Sequence, residues 1–213
     1  MGRWAFVNLK PGTGKTTTSV LLAYALHARG RSVLLVDADP GESCSRWGEL
    51  AGGFPFASVT LHKRTIGRDL PGLLARMQVD DVLIDCPQLE DHASIAKGAL
   101  GFADTWVVPL APRGIEVDRM AAVSEHFDEV QATRDADADA VVLFNRTNRR
   151  RRTSTGPDAA AREALENLEY TVLETMIPSS DMRYGQVFGV DLTDERDDTI
   201  EDLTDELLKR ANA

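Results

Sequence analysis

The sequence predicts one α/β domain, built on a doubly wound, mostly parallel β-sheet with helices on both faces. Strand-like and helix-like segments alternate along most of the 213 residues, as they do when crossover helices connect parallel strands. Two strand-like segments, residues 32–37 and 81–85, have continuous apolar centres, which is typical of strands buried on both faces. We see no internal repeat and no long linker, so a single domain over residues 1–213 is expected.

In the first half of the chain, apolar runs alternate with segments of helical character. The run Trp4-Ala5-Phe6-Val7 favours an opening strand, and the Leu- and Ala-rich segment after it favours a helix that Gly30 ends. A short helix and a short strand are expected after the second apolar run, and a further helix precedes the third. The predicted strands here are residues 3–8, 32–37, 58–61 and 81–85, and the predicted helices are residues 15–29, 45–50 and 68–77.

In the second half, the same alternation continues to the closing helix. One segment keeps amphipathic spacing over many residues and predicts a single long helix at 115–133. The apolar run Val141-Val142-Leu143-Phe144 indicates another buried strand. The predicted strands here are residues 106–110, 140–145 and 171–174, and the predicted helices are residues 92–101, 115–133, 158–168 and 199–211.

The composition is that of a globular protein that does not span a membrane. The net charge is −10, 43% of the residues are hydrophobic, and no apolar run approaches the roughly 20 residues of a membrane-spanning helix. The chain enters its first strand with no secretory segment before it, and Cys44 and Cys86 are too few for a disulfide framework. We therefore expect a cytoplasmic protein. The acidic balance argues against a surface that coats nucleic acid everywhere, although it allows a local basic patch.

A glycine-rich segment lies between the first predicted strand and the first predicted helix. It reads Pro11-Gly12-Thr13-Gly14-Lys15-Thr16-Thr17, and a phosphate-binding loop is expected in this strand–loop–helix context. Glycines let backbone N–H groups turn toward phosphates, Lys15 adds a positive charge, and Thr16 offers a hydroxyl to Mg²⁺. The segment therefore predicts a site for ATP and Mg²⁺.

With the preceding Lys10, this segment resembles the deviant Walker A motif, K-G-G-x-G-K-T-T, of the ParA/MinD family of partition and positioning ATPases. The resemblance implies a P-loop NTPase fold and a homodimer in which Lys10 reaches the nucleotide of the opposite subunit. Pro11 departs from the family's glycine, at a position that lies against the partner subunit in the family. A solvated loop lysine is the plainer interpretation of Lys10 taken alone. The nucleotide contacts implied are Lys10, Pro11, Gly12, Thr13, Gly14, Lys15, Thr16 and Thr17, and the implied catalytic residues are Lys10, Lys15 and Asp39.

Two aspartate-containing segments follow the predicted strands 32–37 and 81–85. Val36-Asp37-Ala38-Asp39-Pro40 resembles the family's D-x-D-P switch I segment, and Asp81-Val82-Leu83-Ile84-Asp85-Cys86-Pro87 resembles its Walker B and switch II segment. The resemblance implies that Asp39 orients the attacking water and that the magnesium site consists of Thr16, Asp37, Asp39 and Asp85. The next segment, Gln88-Leu89-Glu90-Asp91, carries acidic residues where the family usually has small neutral ones.

Two later segments resemble the family's adenine contacts. Asn145-Arg146 follows one strand and Ile177-Pro178-Ser179-Ser180-Asp181 follows another, and an amide offers the donor and the acceptor that an adenine edge needs. Asn145 as an ordinary turn residue stays open as an alternative. The implied contacts are Asn145, Arg146, Pro178, Ser179, Ser180 and Asp181.

A cluster of arginines gives the chain a candidate DNA-binding patch. Such clusters bind phosphates without sequence preference, and the alternative is a solvated loop. The cluster consists of Arg146, Arg149, Arg150, Arg151 and Arg152.

The resemblance narrows the function to one branch of the family. Cys44 and Cys86 do not match the branch of iron–sulfur reductases, and the acidic end of the chain argues against the membrane-bound branch. A ParA-type ATPase for DNA partition or cargo positioning remains. In it MgATP drives a nucleotide-sandwich dimer, the dimer binds non-specific DNA over the nucleoid, and a DNA-bound adaptor of ParB type stimulates slow hydrolysis. Two alternatives stay open, namely a P-loop small-molecule kinase or ligase of the dethiobiotin synthetase-like type, and a nucleotide-binding scaffold without turnover.

Overall fold

A computed structural model describes residues 1–148 and 155–211 and has the α/β architecture that the sequence predicts. Among these residues the strands are β1 Gly2–Phe6, β2 Val33–Asp37, β3 Ala57–Thr60, β4 Asp81–Asp85, β5 Thr105–Leu110, β6 Asp139–Thr147, β7 Thr171–Val172 and β8 Ile177–Pro178. The helices are α1 Lys15–Ala28, α2 Ser43–Leu50, α3 Ile66–Leu74, α4 Leu89–Phe102, α5 Gly114–Asp118, α6 Met120–Gln131, α7 Pro157–Asn167 and α8 Asp198–Ala211. A single π-type turn, Asp181–Gly185, lies between β8 and α8.

The strands form one parallel sheet in the order β3–β2–β4–β1–β5–β6–β7, with β8 beside the end of β6. Successive side chains of a strand point to opposite sides of the sheet. The continuous apolar runs of the central strands therefore make both faces of the sheet apolar. Along β1, Phe6 contributes to a core with α1, α2 and α8, whereas Ala5 contributes to a core with α3, α4, α6 and α7. The sheet is therefore covered on both faces. No helix among the described residues has the length and apolar character needed to cross a bilayer.

Several local predictions differ from the structure, and among them the helix predicted at 68–77 is α3, Ile66–Leu74. The single helix predicted at 115–133 is two helices, α5 and α6, because the N–H groups of Ala122 and Val123 both donate to the carbonyl of Arg119 and tighten the turn there. α4 begins at Leu89, three residues earlier than predicted, and His92 leaves helical angles at φ −132°. β7 stops at Val172, and the short strand β8 was not predicted.

Candidate nucleotide-binding site

The carboxyl ends of three adjacent strands meet at one edge of the sheet. β1 lies beside β4 and β4 beside β2, so the register pairs Phe6 with Asp85 and Asp85 with Asp37. The glycine-rich loop follows β1 and leads into α1 at Lys15. The three motifs, far apart in sequence, therefore lie side by side where open α/β sheets bind their ligands.

The glycine-rich loop has the backbone of an anion cradle. Gly12 and Gly14 take left-handed angles, with φ of 71° and 101°, which glycine adopts without steric cost. The N–H of Thr18 donates to the carbonyl of Gly14 at 2.9 Å and begins α1. The first turn of α1 has no acidic side chain, so the partial positive charge at its amino end is not neutralised locally. A phosphate group would fit at this end of α1.

Lys15 is a buried cation beside this cradle. Lys15 is only 6% exposed, and its ammonium group donates to the carbonyl oxygen of Lys10 at 3.3 Å. Burial lowers the pKa of Lys15, while the nearby carboxylates of Asp85 and Asp39 act in the opposite direction. A buried ammonium needs an anionic partner, and a bound phosphate would supply one.

Thr16 and Asp85 form the contact that joins the loop to β4. The hydroxyl of Thr16 donates to Asp85 Oδ2 at 2.6 Å. Asp85 is fully buried, and its other oxygen, Oδ1, has no hydrogen-bond partner among the described residues. Burial raises the pKa of Asp85 to about 7, although the hydrogen bond from Thr16 favours the charged form. This carboxyl group is therefore poised to ionise when a cation arrives.

Asp37 and Asp39 are held in different ways. Asp37 is buried, and its Oδ2 accepts bonds from the backbone N–H and the hydroxyl of Ser45, each at 2.7 Å. Burial raises the pKa of Asp37, and these hydrogen bonds oppose the shift. Asp39 is only half-buried, and its Oδ1 accepts the N–H of Gly41 at 2.9 Å. Asp37 therefore fixes the backbone of this segment, while Asp39 stays half-exposed and lies close enough to Lys15 to act on its charge.

A cavity of about 340 Å³ adjoins the loop and has room for the base and sugar of a nucleotide. It is lined by Gly14, Thr17, Thr18, Leu21, Asn145, Arg146, Ile177, Pro178, Ser179, Ser180, Tyr184 and Gly185. The hydroxyl oxygen of Thr18 is buried and has no partner among the described residues, so a ligand oxygen or nitrogen here would satisfy it.

Asn145, near the end of β6, holds the glycine-rich loop through a hydrogen bond. Its amide nitrogen donates to the carbonyl of Thr13 at 3.0 Å, and its Oδ1 accepts the N–H of Arg146 at 2.8 Å. Arg146 takes a left-handed φ of 57° and is exposed. The Asn145 side chain, predicted as an adenine contact, is thus engaged with the protein backbone in this structure.

Lys10 lies at the opposite end of the loop and pairs with Glu90 in the first turn of α4. That turn is fixed to the loop by the backbone, because the N–H of Leu89 donates to Asn8 O at 3.0 Å and the N–H of Glu90 donates to Leu9 O at 3.2 Å. Both charged side chains stay partly exposed, at 33% and 47%. Lys10 is therefore available to a partner only in competition with Glu90.

Most of the predicted site residues come together. Lys10 through Thr17, Asp37, Asp39 and Asp85 lie around the loop, and Asn145, Arg146, Pro178, Ser179 and Ser180 line or approach the adjoining cavity. Arg149, Arg150, Arg151 and Arg152 lie outside the described residues, as does the side chain of Asp181. The roles assigned to all of these residues stay predictions.

Sequence reasoning did not identify Ser45 and Thr18. Ser45 holds Asp37 with two hydrogen bonds, and Thr18 lines the cavity and has a buried hydroxyl without a partner among the described residues. Neither stands out in the sequence, because Ser45 belongs to no motif and Thr18 is the last of a run of three threonines. Glu90 stood out as a departure from the family pattern, but its pairing with Lys10 needed the register of α4 against the loop.

The oxygen atoms around the loop suit Mg²⁺ better than they suit a metal ion whose ligands are all protein side chains. No group of three or more His, Cys, Asp or Glu side chains within residues 1–148 and 155–211 is arranged to hold a metal ion. Mg²⁺ typically takes one or two protein ligands together with waters and substrate phosphates. Thr16 Oγ1 and the unpartnered Oδ1 of Asp85 offer such a partial shell.

Fold and loop together define a P-loop nucleotide-binding protein, and comparison with known proteins gives its family. Residues 4–183 match the family described as the CobQ/CobB/MinD/ParA nucleotide binding domain, and the chain belongs to this family. The Maintenance of carboxysome distribution protein A of Gloeobacter kilaueensis is 40% identical over 113 residues, which cover 53% of this chain and 50% of that protein. The protein of the same name from Halothiobacillus neapolitanus is 29% identical over 174 residues, 81% of this chain and 77% of its own. The first match thus spans only half of the relative's length.

Solved structures share the fold at low sequence identity. Apo McdA from Cyanothece superposes with a TM-score of 0.77 at 18% identity over the full length of both chains. An ATP complex of a Cyanothece McdA variant gives 0.69 at 20% identity, covering 99% of this chain and 96% of that one. Cobyrinic acid a,c-diamide synthase from Mycobacterium smegmatis with ADP and magnesium gives 0.71 at 21%, covering 100% and 96%.

Proposed function

We propose that this chain is a ParA-type ATPase that binds MgATP, dimerises on it and positions a cargo in the cell. The observation that carries the proposal is the hydrogen bond of 2.6 Å between Thr16 and Asp85, which joins the phosphate loop to the switch II strand. Family membership supports nucleotide binding, and the neighbouring structures with ATP, or with ADP and magnesium, support both ligands.

The residues around the loop have separate tasks in this proposal. The loop amides and Lys15 hold the β- and γ-phosphates, while Thr16 and Asp85 hold the metal and its waters. When bound, Mg²⁺ neutralises charge on the phosphate oxygens. Asp39 positions the attacking water, since it is half-exposed and close enough to Lys15 to act on its charge, while Asp37 holds its segment in place. Hydrolysis of ATP needs a carboxylate that positions the water and two cations near the phosphates, which here are Lys15 and Mg²⁺.

In this proposal, Lys10 makes the contact on which the ATP-dependent dimer depends. Its side chain is partly exposed at the end of the loop, so it can leave Glu90 and reach a phosphate of a nucleotide on the opposite subunit. Pro11 is exposed beside it and contributes no N–H donor, so the cradle depends on the amides from Gly12 onward.

The names of the relatives favour a protein assembly as the cargo. Both carboxysome distribution proteins match over at least half of this chain, whereas the match to the chromosome partitioning protein ParA of Caulobacter vibrioides covers 19% of it. In this proposal the dimer binds non-specific DNA over the nucleoid through Arg146 and the four arginines at 149–152. An adaptor of ParB type, bound to DNA or to the cargo, triggers hydrolysis.

Nucleotide titration with Lys15→Ala as the test variant examines the first step. A fluorescent ATP analogue should bind the wild type only with Mg²⁺, and Lys15→Ala should weaken that binding at least about tenfold, because it removes the buried cation at the phosphates. Lys97→Ala, which removes a partly exposed lysine paired with Glu129, is the matched control and should bind normally. Metal-independent binding, or full affinity in Lys15→Ala, would contradict the proposal.

Phosphate release distinguishes the proposed switch from the other functions. Release is measured with ATP alone, with double-stranded DNA and with candidate small-molecule acceptors. DNA-stimulated release, and a dimer seen by light scattering only with a non-hydrolysable ATP analogue, are expected. Acceptor-dependent consumption would instead identify a small-molecule kinase or ligase, and no release under any condition would identify a scaffold. Charge reversal at Arg150 and Arg151 should abolish salt-sensitive DNA binding without weakening ATP binding.

A further inference from the structure

Three exposed apolar side chains form one patch on the α2 face of the molecule. Leu50, at the end of α2, is 52% exposed, and Phe188 and Val190, in the segment before α8, are 48% and 44% exposed. They account for half of the six large hydrophobic side chains that are exposed in the described part of the chain. We call Leu50, Phe188 and Val190 the Phe188 patch. Clustering of this kind marks a contact surface, whereas single exposed hydrophobic residues need no explanation.

The Phe188 patch rests on an ordered support. The ring of Phe188 meets the buried indole of Trp47 edge-on at 5.6 Å, and the indole N–H donates to the carbonyl of Val190 at 3.0 Å. Gly189 takes a φ of 78° and lies so close to Leu50 that a Cβ there would come within 2.8 Å of the Leu50 Cβ. The backbone is therefore fastened to α2, and it presents the patch outward instead of burying it.

A cavity of about 550 Å³ continues the patch toward α1 and α8. Val187 and Val190 belong to its wall, and the buried side chains of Leu21, Leu192 and Ile200 contribute apolar surface inside it. This volume is within the range of sites that accept several side chains or a small ligand.

The rim of this surface is acidic. Residues 191–198 contain five acidic side chains and one arginine, and Glu195, Asp197 and Glu201 line the cavity. Two arginines of the cavity wall pair with two of these carboxylates, Arg183 with Asp197 at 3.1 Å and Arg196 with Glu201 at 3.4 Å, and Glu201 also pairs with Arg29. The negative excess therefore comes from the other acidic residues of segment 191–198. The surface therefore offers apolar contacts inside a negative field, and it complements a segment with the opposite charge.

We propose that the Phe188 patch and the adjoining cavity dock a basic amphipathic segment of a protein partner. A second copy of this chain fits poorly, because a symmetric contact would bring the same acidic rim against itself. A basic amphipathic helix supplies what both parts need, with apolar side chains for the patch and cavity and lysine or arginine for the rim.

The docking surface touches the nucleotide cavity through shared residues. Leu21, Ser180 and Tyr184 line both cavities, and the hydroxyl of Tyr184 donates to Asp197 at 3.0 Å on the acidic rim. A partner that engages the rim thus meets the π-type turn that also walls the nucleotide cavity. Any effect of docking on hydrolysis rests on the proposed function, whereas the docking itself does not depend on it.

The test uses a fluorescein-labelled amphipathic helical peptide of leucine and lysine, with a glutamate version of the same peptide as the charge control. Anisotropy is measured with the full chain, with and without MgATP. We expect the lysine peptide to bind in a salt-dependent manner and the glutamate peptide not to bind. The double variants Phe188→Ala with Val190→Ala, and Asp194→Lys with Glu195→Lys, should each weaken binding roughly tenfold or more.

Matched controls separate the surface from the overall acidity of the chain. Leu168→Ala removes a hydrophobic side chain that is 52% exposed elsewhere, and Asp135→Lys reverses an exposed charge outside the rim; both should keep wild-type affinity. Absent binding, or equal losses in the controls and the patch variants, overturns the docking surface. Lys15→Ala should lose nucleotide and keep the peptide, so failure of the proposed function is read separately.

Two other occupants give distinct results, and either would overturn the proposal. If replacing Arg149, Arg150, Arg151 and Arg152 with alanine raises peptide affinity tenfold, the chain's own arginines occupy the surface. If the nucleotide-free protein self-associates and Phe188→Ala with Val190→Ala abolishes this without any peptide binding, the occupant is a second copy.

Discussion

Lys10 is held on its own chain by Glu90, and this ion pair sets a cost on any contact that Lys10 makes elsewhere. The pair is partly exposed, so it contributes about 0.2–1 kcal/mol. A contact of this size cannot prevent dimerisation, but it can tune it. The geometry of the pair is fixed because Leu89 and Glu90 both donate their N–H groups to the loop, which carries Lys10.

Glu90→Gln should therefore strengthen the ATP-dependent dimer. Without its carboxylate partner, Lys10 is released to the opposite nucleotide. Because the dimer contains two such pairs, its dissociation constant should fall about twofold to thirtyfold. The measurement is sedimentation or light scattering over a range of protein concentrations with a non-hydrolysable ATP analogue. Asp91→Asn is the matched control, since Asp91 accepts from Gln88 instead of Lys10. An unchanged constant in Glu90→Gln would show that Lys10 does not cross to the other subunit.

At the residue scale, the motif residues and one pairing between two motifs were predictable, whereas partners outside the motifs were not. Thr16 and Asp85 could be paired from the sequence, because their motifs name a hydroxyl and a carboxylate for the same metal. Ser45 and Glu90 could not be paired with Asp37 and Lys10, because each pairing depends on how a helix begins relative to a strand end. The order of motifs along the chain does not show where a helix begins relative to the end of a strand.

At the element scale, the loop and the end of β6 form one unit. A Cβ at Gly14 would lie 2.1 Å from the amide nitrogen of Asn145, which itself donates to Thr13. Gly14 thus serves two needs at once, its left-handed φ of 101° and the close approach of Asn145.

A double-mutant cycle between Gly14→Ala and Asn145→Ala should show this coupling. Gly14→Ala alone should weaken binding of MgATP at least about tenfold, through the clash and the backbone strain together. In the Asn145→Ala background the same change should cost clearly less, because only the strain remains. Affinity is measured by titration with a fluorescent ATP analogue. Gly30→Ala, with a φ of 76° and open space around it, reports the stability cost of strain alone. Additive losses would show that the two residues act independently.

The elements themselves were predictable where a continuous apolar run or a terminal glycine marks them, whereas a long amphipathic period did not reveal a break inside it. α1 and the strands β2 and β4 were found within about two residues because apolar runs and a terminal glycine mark them. The break at Arg119 and the kink at His92 escaped, since both arise from hydrogen bonds that compete with a regular helix and leave the amphipathic pattern intact. β8 escaped because two residues carry no period, and its pairing depends on the irregular end of β6.

For the whole molecule, the buried carboxyl group of Asp85 makes stability depend on pH. The pKa of Asp85 is raised by burial to about 7 in the folded chain, against about 3.9 in an unfolded one. Between these values the unfolded chain releases a proton that the folded chain retains. The free energy of unfolding of the nucleotide-free protein therefore falls as pH rises from about 4 to about 7, and it changes no further above that through this group.

Asp85→Asn should remove this dependence. At pH 8 the variant should gain about 2–4 kcal/mol in free energy of unfolding, because no buried charge remains, and at pH 4 it should match the wild type. Urea unfolding at both pH values without nucleotide or metal provides the measurement. Asp81→Asn, at the other end of β4, is the contrasting control, since Asp81 is paired with Arg31 and its loss should destabilise the protein at pH 8. A variant of Asp85 that is less stable at pH 8 would contradict the argument.

The bond from Asn145 to Thr13 spans 132 positions of the chain. A growing polypeptide releases the phosphate loop early in synthesis, whereas β6 emerges only after most of the sheet has been made. The hydrogen bond from Asn145 that supports the loop therefore forms only after the second half of the protein has been translated. Fragments that end before β6 would carry every residue of the glycine-rich motif and still lack the support that shapes it, so the maturation of the site is timed by the carboxyl half of the chain.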